Sequence, residues 1–267
     1  MANAALPAAS RGLDDRPRRA VPPPRSKWRW LRWLGEFAVY LVVAVLIVTL
    51  VRVFLLQPFL VPSGSMEQTL AVGDTILAWK PGEPRRGDVV VFRDDLNWLG
   101  PAPGVPAWKK PLAWLRILPP QDEQYLVKRL IGLPGDHVVC CDSRGWMSVN
   151  GVGLDETSYL YQNSPGRPVE PSLARFDIHV PAGHFFVMGD HRNNSQDSRH
   201  WMCGDPAHPA TATPQLAFPP MEAIQGRAFA IITPFKHMTT LSRPGVFDAV
   251  PAADPKPPAN TSWTCPL

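Results

Sequence analysis

The chain has 267 residues, a formal net charge of +4 and a 45% apolar share, enough for one large domain or two smaller ones with a buried core. Its 32 prolines are more than twice the average usage of about 5%, which argues against an all-helical protein. Residues 1–33 hold eight Lys/Arg against two Asp, while residues 53–267 hold 18 basic and 20 acidic side chains, so the positive excess is not a nucleic-acid surface.

Residues 1–26 are rich in Ala, Pro and Arg and lack an apolar period, which predicts a disordered basic tail reaching to residue 33. Residues 34–56, LGEFAVYLVVAVLIVTLVRVFLL, follow as an apolar run. At about 1.5 Å per residue it extends roughly 34 Å, enough to cross a hydrocarbon core. Glu36 and Arg52 lie towards its ends, where long side chains reach the headgroups. The upstream stretch RRAVPPPRSKWRWLRW combines positive charge with tryptophans, which places the N-terminus in the cytoplasm and sends the remainder across. No small-x-small site follows the run, so it reads as a retained transmembrane anchor rather than a cleaved signal peptide or a buried core helix.

PSGSM, residues 62–66, comes next. Pro, Gly and Ser are ordinary turn residues, but two serines around one glycine also suit a nucleophile on a tight loop. Short β-rich runs then recur: TILAWK, DVVVFR, YLVKRLIG, HVVCC, MSVNG, HFFVMGD and RAFAIITPF. Gly, Pro and Asp separate them, predicting a mainly β domain over residues 57–250 with Asn150-Gly151 at a hairpin tip. Two insertions interrupt it, at about 94–123 and 201–221, and a proline-rich tail covers 251–267. The first insertion either dips its Trp and Leu residues into the bilayer surface or packs on its own domain.

A serine hydroxyl needs a group to take its proton. Seven histidines are available, but no GxSxG elbow accompanies them. Lys128, in YLVKRLIGLPGD, shares a strand face with Leu126 and Leu130, and poor hydration favours its neutral form. The plainer alternative is a Lys-Arg pair at a solvated strand end. The segment MGDHRNNSQDSRHW, residues 188–201, is a polar loop able to bring Ser195 near a lysine and to tie itself down through Asp197 and Arg199. Cysteine spacing suggests no metal site. An outer-face disulfide is permitted, although the neighbours Cys140 and Cys141 are unfavourable partners, and the pairing of Cys203 stays open.

Taken in order, PSGSM, KR-x-x-G-x-PGD and GD-x-R-x-NS-x-DSR resemble the bacterial type I signal peptidases, membrane-anchored Ser-Lys endopeptidases. The match runs from QPFLVPSGSMEQTLAVGDTIL to GRAFAIITP and covers most of residues 34–235. The resemblance implies an antiparallel β catalytic domain behind one transmembrane helix, with no metal or cofactor. It implies Ser65 as nucleophile and Lys128 as general base, with Ser63 and the Ser65 N–H as oxyanion hole. Ser195 would orient the lysine, Asp197 and Arg199 would buttress its loop, and Arg129 would be a structural neighbour. Phe59, Val61, Pro62, Met66, Leu70 and Val127 would contact substrate. The expected partners are secreted preproteins with small residues at −1 and −3, together with the phospholipid bilayer. Gln196 and Asn193 depart from the commonest family pattern. The competing readings are another Ser-Lys hydrolase and an inactive, membrane-tethered peptide-binding β domain.

Overall fold

The computed structural model describes residues 28–101, 124–203 and 213–253. Residues 1–27 of the expected tail 1–33 and 254–267 of the expected tail 251–267, with residues 102–123 and 204–212 of the two insertions, lie outside this set, while 28–33 are helical rather than disordered.

Helix α1, Trp28–Phe54, has no polar face, and an 18-residue stretch within Trp30–Phe54 reaches a mean hydropathy of 2.7 with none of it buried. A helix without a polar face suits a uniformly apolar surrounding better than one-sided packing. It begins six residues before the apolar run because WRWLRW contains no helix breaker after Pro24.

The β domain is built on a sheet ordered β1-β2-β12-β3-β4-β11, with β13 added to β12, and its pairings are antiparallel. These strands are β1 (Leu56–Leu60), β2 (Thr75–Trp79), β3 (Val89–Arg93), β4 (Tyr125–Gly132), β11 (Phe186–Met188), β12 (Ile224–Thr233) and β13 (Thr239–Thr240). A second sheet orders β10 (Phe176–His179), β5 (His137–Cys140), β6 (Met147–Val149) and β7 (Val152–Gly153). β8 (Gln162–Ser164) and β9 (Arg167–Pro168) form a small ribbon.

The runs VVVF and YLVKRLI lack the alternation of a half-exposed strand because both faces of the first sheet are covered. Val89, Val91 and Val127 pack with Phe59, Met66, Leu70 and Ile76 on one face. Val90, Phe92, Leu126 and Leu130 pack with Trp98, Phe185 and Val187 on the other. Ile131 and Phe186 carry the core across to the second sheet. Between β6 and β7, Asn150 (φ 50°) and Gly151 (φ 79°) form the expected hairpin tip.

The described flanks of both insertions pack on the domain. Trp98 is 6% exposed, stacks on Trp201 and donates its indole N–H to the Leu216 carbonyl. Cys140 and Cys141 are bridged to each other, contrary to the sequence expectation; their Cα atoms lie 3.0 Å apart, which leaves each Sγ within reach of the other.

Candidate active site

β1 leads through Val61 into a 3-10 turn, Gly64–Met66, that carries Ser65. The turn is anchored from below by Met66, which is 1% exposed in the core, and Ser65 itself is 7% exposed. Ser63 Oγ is exposed and lies 3.4 Å from Ser65 Oγ, so the two hydroxyls face a common space. Gly64 was expected to supply a sharp backbone bend. Its φ lies outside the left-handed region, and a Cβ there would come within 2.8 Å of the Glu67 carboxylate, a flexible group that can move aside.

Lys128 reaches the same turn from the middle of β4. Its Nζ lies 2.5 Å from Ser65 Oγ, and the residue is 4% exposed. Strand alternation puts it on the face of Leu126 and Leu130, opposite Val90 in the neighbouring strand. Burial drives its pKa down from 10.5 to about 8; Asp197 opposes that change, Arg199 reinforces it and Asp190 opposes it. About half of the amine is therefore uncharged near pH 8, and that neutral form can accept a proton from the adjacent hydroxyl.

Arg129 points to the other side of β4 and is 2% exposed. Its guanidinium grips Asp190 through two hydrogen bonds of 2.7 and 2.6 Å, donates to the Gly87 carbonyl at 2.7 Å and lies 4.2 Å from the Tyr159 ring centroid. Asp190 also accepts from the Thr69 hydroxyl at 2.5 Å, which ties the end of β11 to the chain just past Ser65.

Asp197 and Arg199 form the expected pair, with hydrogen bonds of 2.9 and 2.7 Å. Burial penalises the Asp197 carboxylate, but Arg199 and the Gly189 N–H outweigh it and hold its pKa below the ordinary range. Arg199 further donates to the Arg192 carbonyl, closing the loop on itself. Ser195 Oγ is buried beside Gly189 and makes no hydrogen bond among the described residues, so the expected link from Ser195 to Lys128 is not formed here.

The remaining expected contacts separate by burial. Phe59, Val61, Met66, Leu70 and Val127 all belong to one core cluster and are 8% exposed or less, while Pro62 is exposed.

Several side chains at this site carried no individual signal in the sequence. Arg192 binds Glu156 through two hydrogen bonds of 2.8 and 2.5 Å, and Tyr159 donates to the same carboxylate. Burial and the Glu156 charge raise the Tyr159 pKa well above its ordinary value. Gly189 is required by close approach: a Cβ there would collide with the Ser65 carbonyl and with Ser195. The His191 N–H donates to that carbonyl at 3.1 Å, and its ring contacts Glu67 at 2.9 Å while stacking on Tyr161. Asp190, His191 and Arg192 lie inside the polar segment singled out at 188–201, whereas nothing marks Glu156 or Tyr159 before folding.

A model of the family described as signal peptidase, peptidase S26, matches residues 34–233. Signal peptidase I of Pseudomonas fluorescens is 33% identical over 241 residues, covering 75% of this chain and 74% of that protein. Signal peptidase I of Mycobacterium tuberculosis is 33% identical over 255 residues, covering 86% and 82%. The Pseudomonas aeruginosa signal peptidase I is 34% identical over 221 residues, covering 69% and 67%. With the family model matching residues 34–233 and a relative 33% identical covering 75% of its length, the chain belongs to the signal peptidase family, peptidase S26.

Proposed function

We propose that the protein is a membrane-bound serine endopeptidase that removes N-terminal signal peptides from exported preproteins through a Ser65–Lys128 dyad. The observation that carries this reading is a buried amine 2.5 Å from a serine hydroxyl in a member of a peptidase family. Helix α1 would anchor it in the cytoplasmic membrane of a bacterium, N-terminus inside, with the β domain on the outer face.

In this mechanism neutral Lys128 takes the Ser65 proton as Oγ attacks the scissile carbonyl. The Oγ–C bond forms and the carbonyl π electrons move onto oxygen. The Ser65 N–H and Ser63 hydroxyl hold that oxyanion, a contribution of about 3 kcal/mol per donor. Lys128 then protonates the departing amine, leaving an acyl-enzyme, and next deprotonates the water that releases the signal peptide. Asp197, Arg199 and Arg129 keep the surrounding loop in place, and Ser195 would engage the lysine when substrate closes the site. The chemistry needs neither metal nor cofactor.

β1 is an edge strand, paired only with β2 among the described residues. An extended preprotein segment can join its open side, with shallow walls from Phe59, Val61, Pro62, Met66, Leu70 and Val127 favouring small residues at −1 and −3.

The test is cleavage of a preprotein bearing an Ala-x-Ala site by the full chain in detergent. Loss of cleavage in both Ser65→Ala and Lys128→Met supports the dyad. Binding of the preprotein with no cleavage by the unsubstituted chain would favour an inactive peptide-binding domain instead.

A further inference from the structure

A cavity of about 110 Å³ lies away from Ser65, lined by Lys80, Gly82, Pro84, Met221, Ile224, Gly226 and Arg227. It opens where β2 leaves the sheet and β12 enters it. Among the described residues Arg227 forms no ion pair and no side-chain hydrogen bond, although it is half-buried. A half-buried guanidinium facing a cavity without a carboxylate has lost hydration with no protein anion in return. Such a group is complementary to an anion from outside, and its fork geometry favours phosphate.

The cavity's other cation fixes its place along the chain. Lys80 Nζ donates to the Val53 carbonyl at 3.2 Å, and Lys80 N donates to the Leu55 carbonyl at 2.9 Å. Lys80 therefore sits at the last turn of α1, where a cation also complements the helix dipole. If α1 spans a bilayer, as proposed above, this turn lies at headgroup depth, where the abundant phosphates belong to lipids. Pro84, Met221 and Ile224 supply the apolar part of the wall, suited to the glycerol and first methylenes of such a lipid.

We infer that the Lys80–Arg227 cavity is a binding site for the phosphate headgroup of an anionic phospholipid. Arg227 supplies the forked contact and Lys80 a second positive charge. The inference rests on the membrane-anchored reading of α1, yet the cavity can be tested without a bilayer.

Full-length protein in neutral detergent is titrated with short-chain phosphatidylglycerol, with phosphatidylcholine of the same chain length, and with inorganic phosphate, and the thermal unfolding midpoint is followed. Phosphatidylglycerol should raise the midpoint with saturation, phosphatidylcholine should raise it less, and Arg227→Gln should weaken the phosphatidylglycerol effect at least tenfold in midpoint concentration. Lys80→Gln should weaken it less. Equal responses to the two lipids, or an unchanged titration in Arg227→Gln, would overturn the site. Inorganic phosphate matching phosphatidylglycerol would overturn the lipid as ligand. An Arg227→Gln chain unfolding before ligand is added is replaced by Arg227→Lys, which keeps the charge but loses the fork and should still bind more weakly; unchanged binding there counts against the proposal. Resistance of the full chain to carbonate extraction reads the α1 span separately, because Arg227 plays no part in it.

Discussion

The two sides of β4 at Lys128 and Arg129 treat adjacent cations in opposite ways. Arg129 is buried against a carboxylate that grips it twice, and its pKa is raised. Lys128 is nearly as buried, but its side-chain hydrogen bond among the described residues goes to a neutral hydroxyl, and its pKa falls to about 8. Burial opposes charge at both positions; the directly bound partner decides which cation survives it. The arginine side is built for rigidity, and the lysine side leaves a proton site unsatisfied where chemistry can use it.

Removing the lysine breaks this contrast most severely. Lys128→Met should lower kcat/KM by about 10³-fold or more, measured on a preprotein, because the proton acceptor is gone. The same change should stabilise the fold. Below about pH 8 folded and unfolded chains both carry the Lys128 proton, so the folded state bears the whole cost of burying it. Between about 8 and 10.5 only the unfolded chain stays protonated, and stability climbs with pH. Replacing the lysine removes up to about 3 kcal/mol of that cost at pH 7, which denaturant unfolding can read. A destabilised Lys128→Met chain would contradict a desolvated amine.

On the opposite side, Arg129→Met leaves the Asp190 carboxylate buried without its partner. The expected cost is about 3–5 kcal/mol, seen as a lowered unfolding midpoint at pH 7. A smaller loss in the double variant Arg129→Met, Asp190→Asn would sharpen the point, since no unpaired charge then remains.

A milder change tunes the lysine without removing it. The acid limb of kcat/KM should have a midpoint near 8, with activity falling as pH drops and Lys128 is protonated. Asp197→Asn removes a charge that favours the ammonium and leaves Arg199, which disfavours it, so the limb should move to lower pH. A limb unmoved in that variant would mean that Lys128 does not control it.

The smallest expected effect concerns the Ser65 turn. Glu67→Gln weakens the contact with His191 and should lower kcat a few-fold with little change in KM, as for a positioning residue. Gly64→Ala displaces the same carboxylate and should behave alike.

β4 was legible in the sequence to the residue, because eight consecutive positions join β-formers to the PGD turn that ends them. β10 was not: FDIH is short, and Asp177 and His179 disguise its apolar side. The segments carrying Ser63, Ser65, Lys128, Asp197 and Arg199 could be named because each stands in a recognisable run. Their support could not, since Arg192 meets Glu156 across 36 positions and Arg129 meets Asp190 across 61. No local pattern encodes such a meeting. Ser195 teaches a narrower lesson: the residue stands out in its polar run, while the lack of a hydrogen-bond partner for its Oγ among the described residues depends on atoms placed by distant strands.

The edge position of β1 in its sheet has a consequence for breadth of choice if it is where a preprotein docks, as proposed above. A guest strand docking there would be held mainly by main-chain groups, which every polypeptide offers, so many unrelated sequences could be accepted through one register with few side chains inspected. Pro58, which lacks an N–H, interrupts the donor row and makes the rim a poor template for a second copy of the protein. A brief visitor is welcome at such an edge, and a permanent neighbour is discouraged.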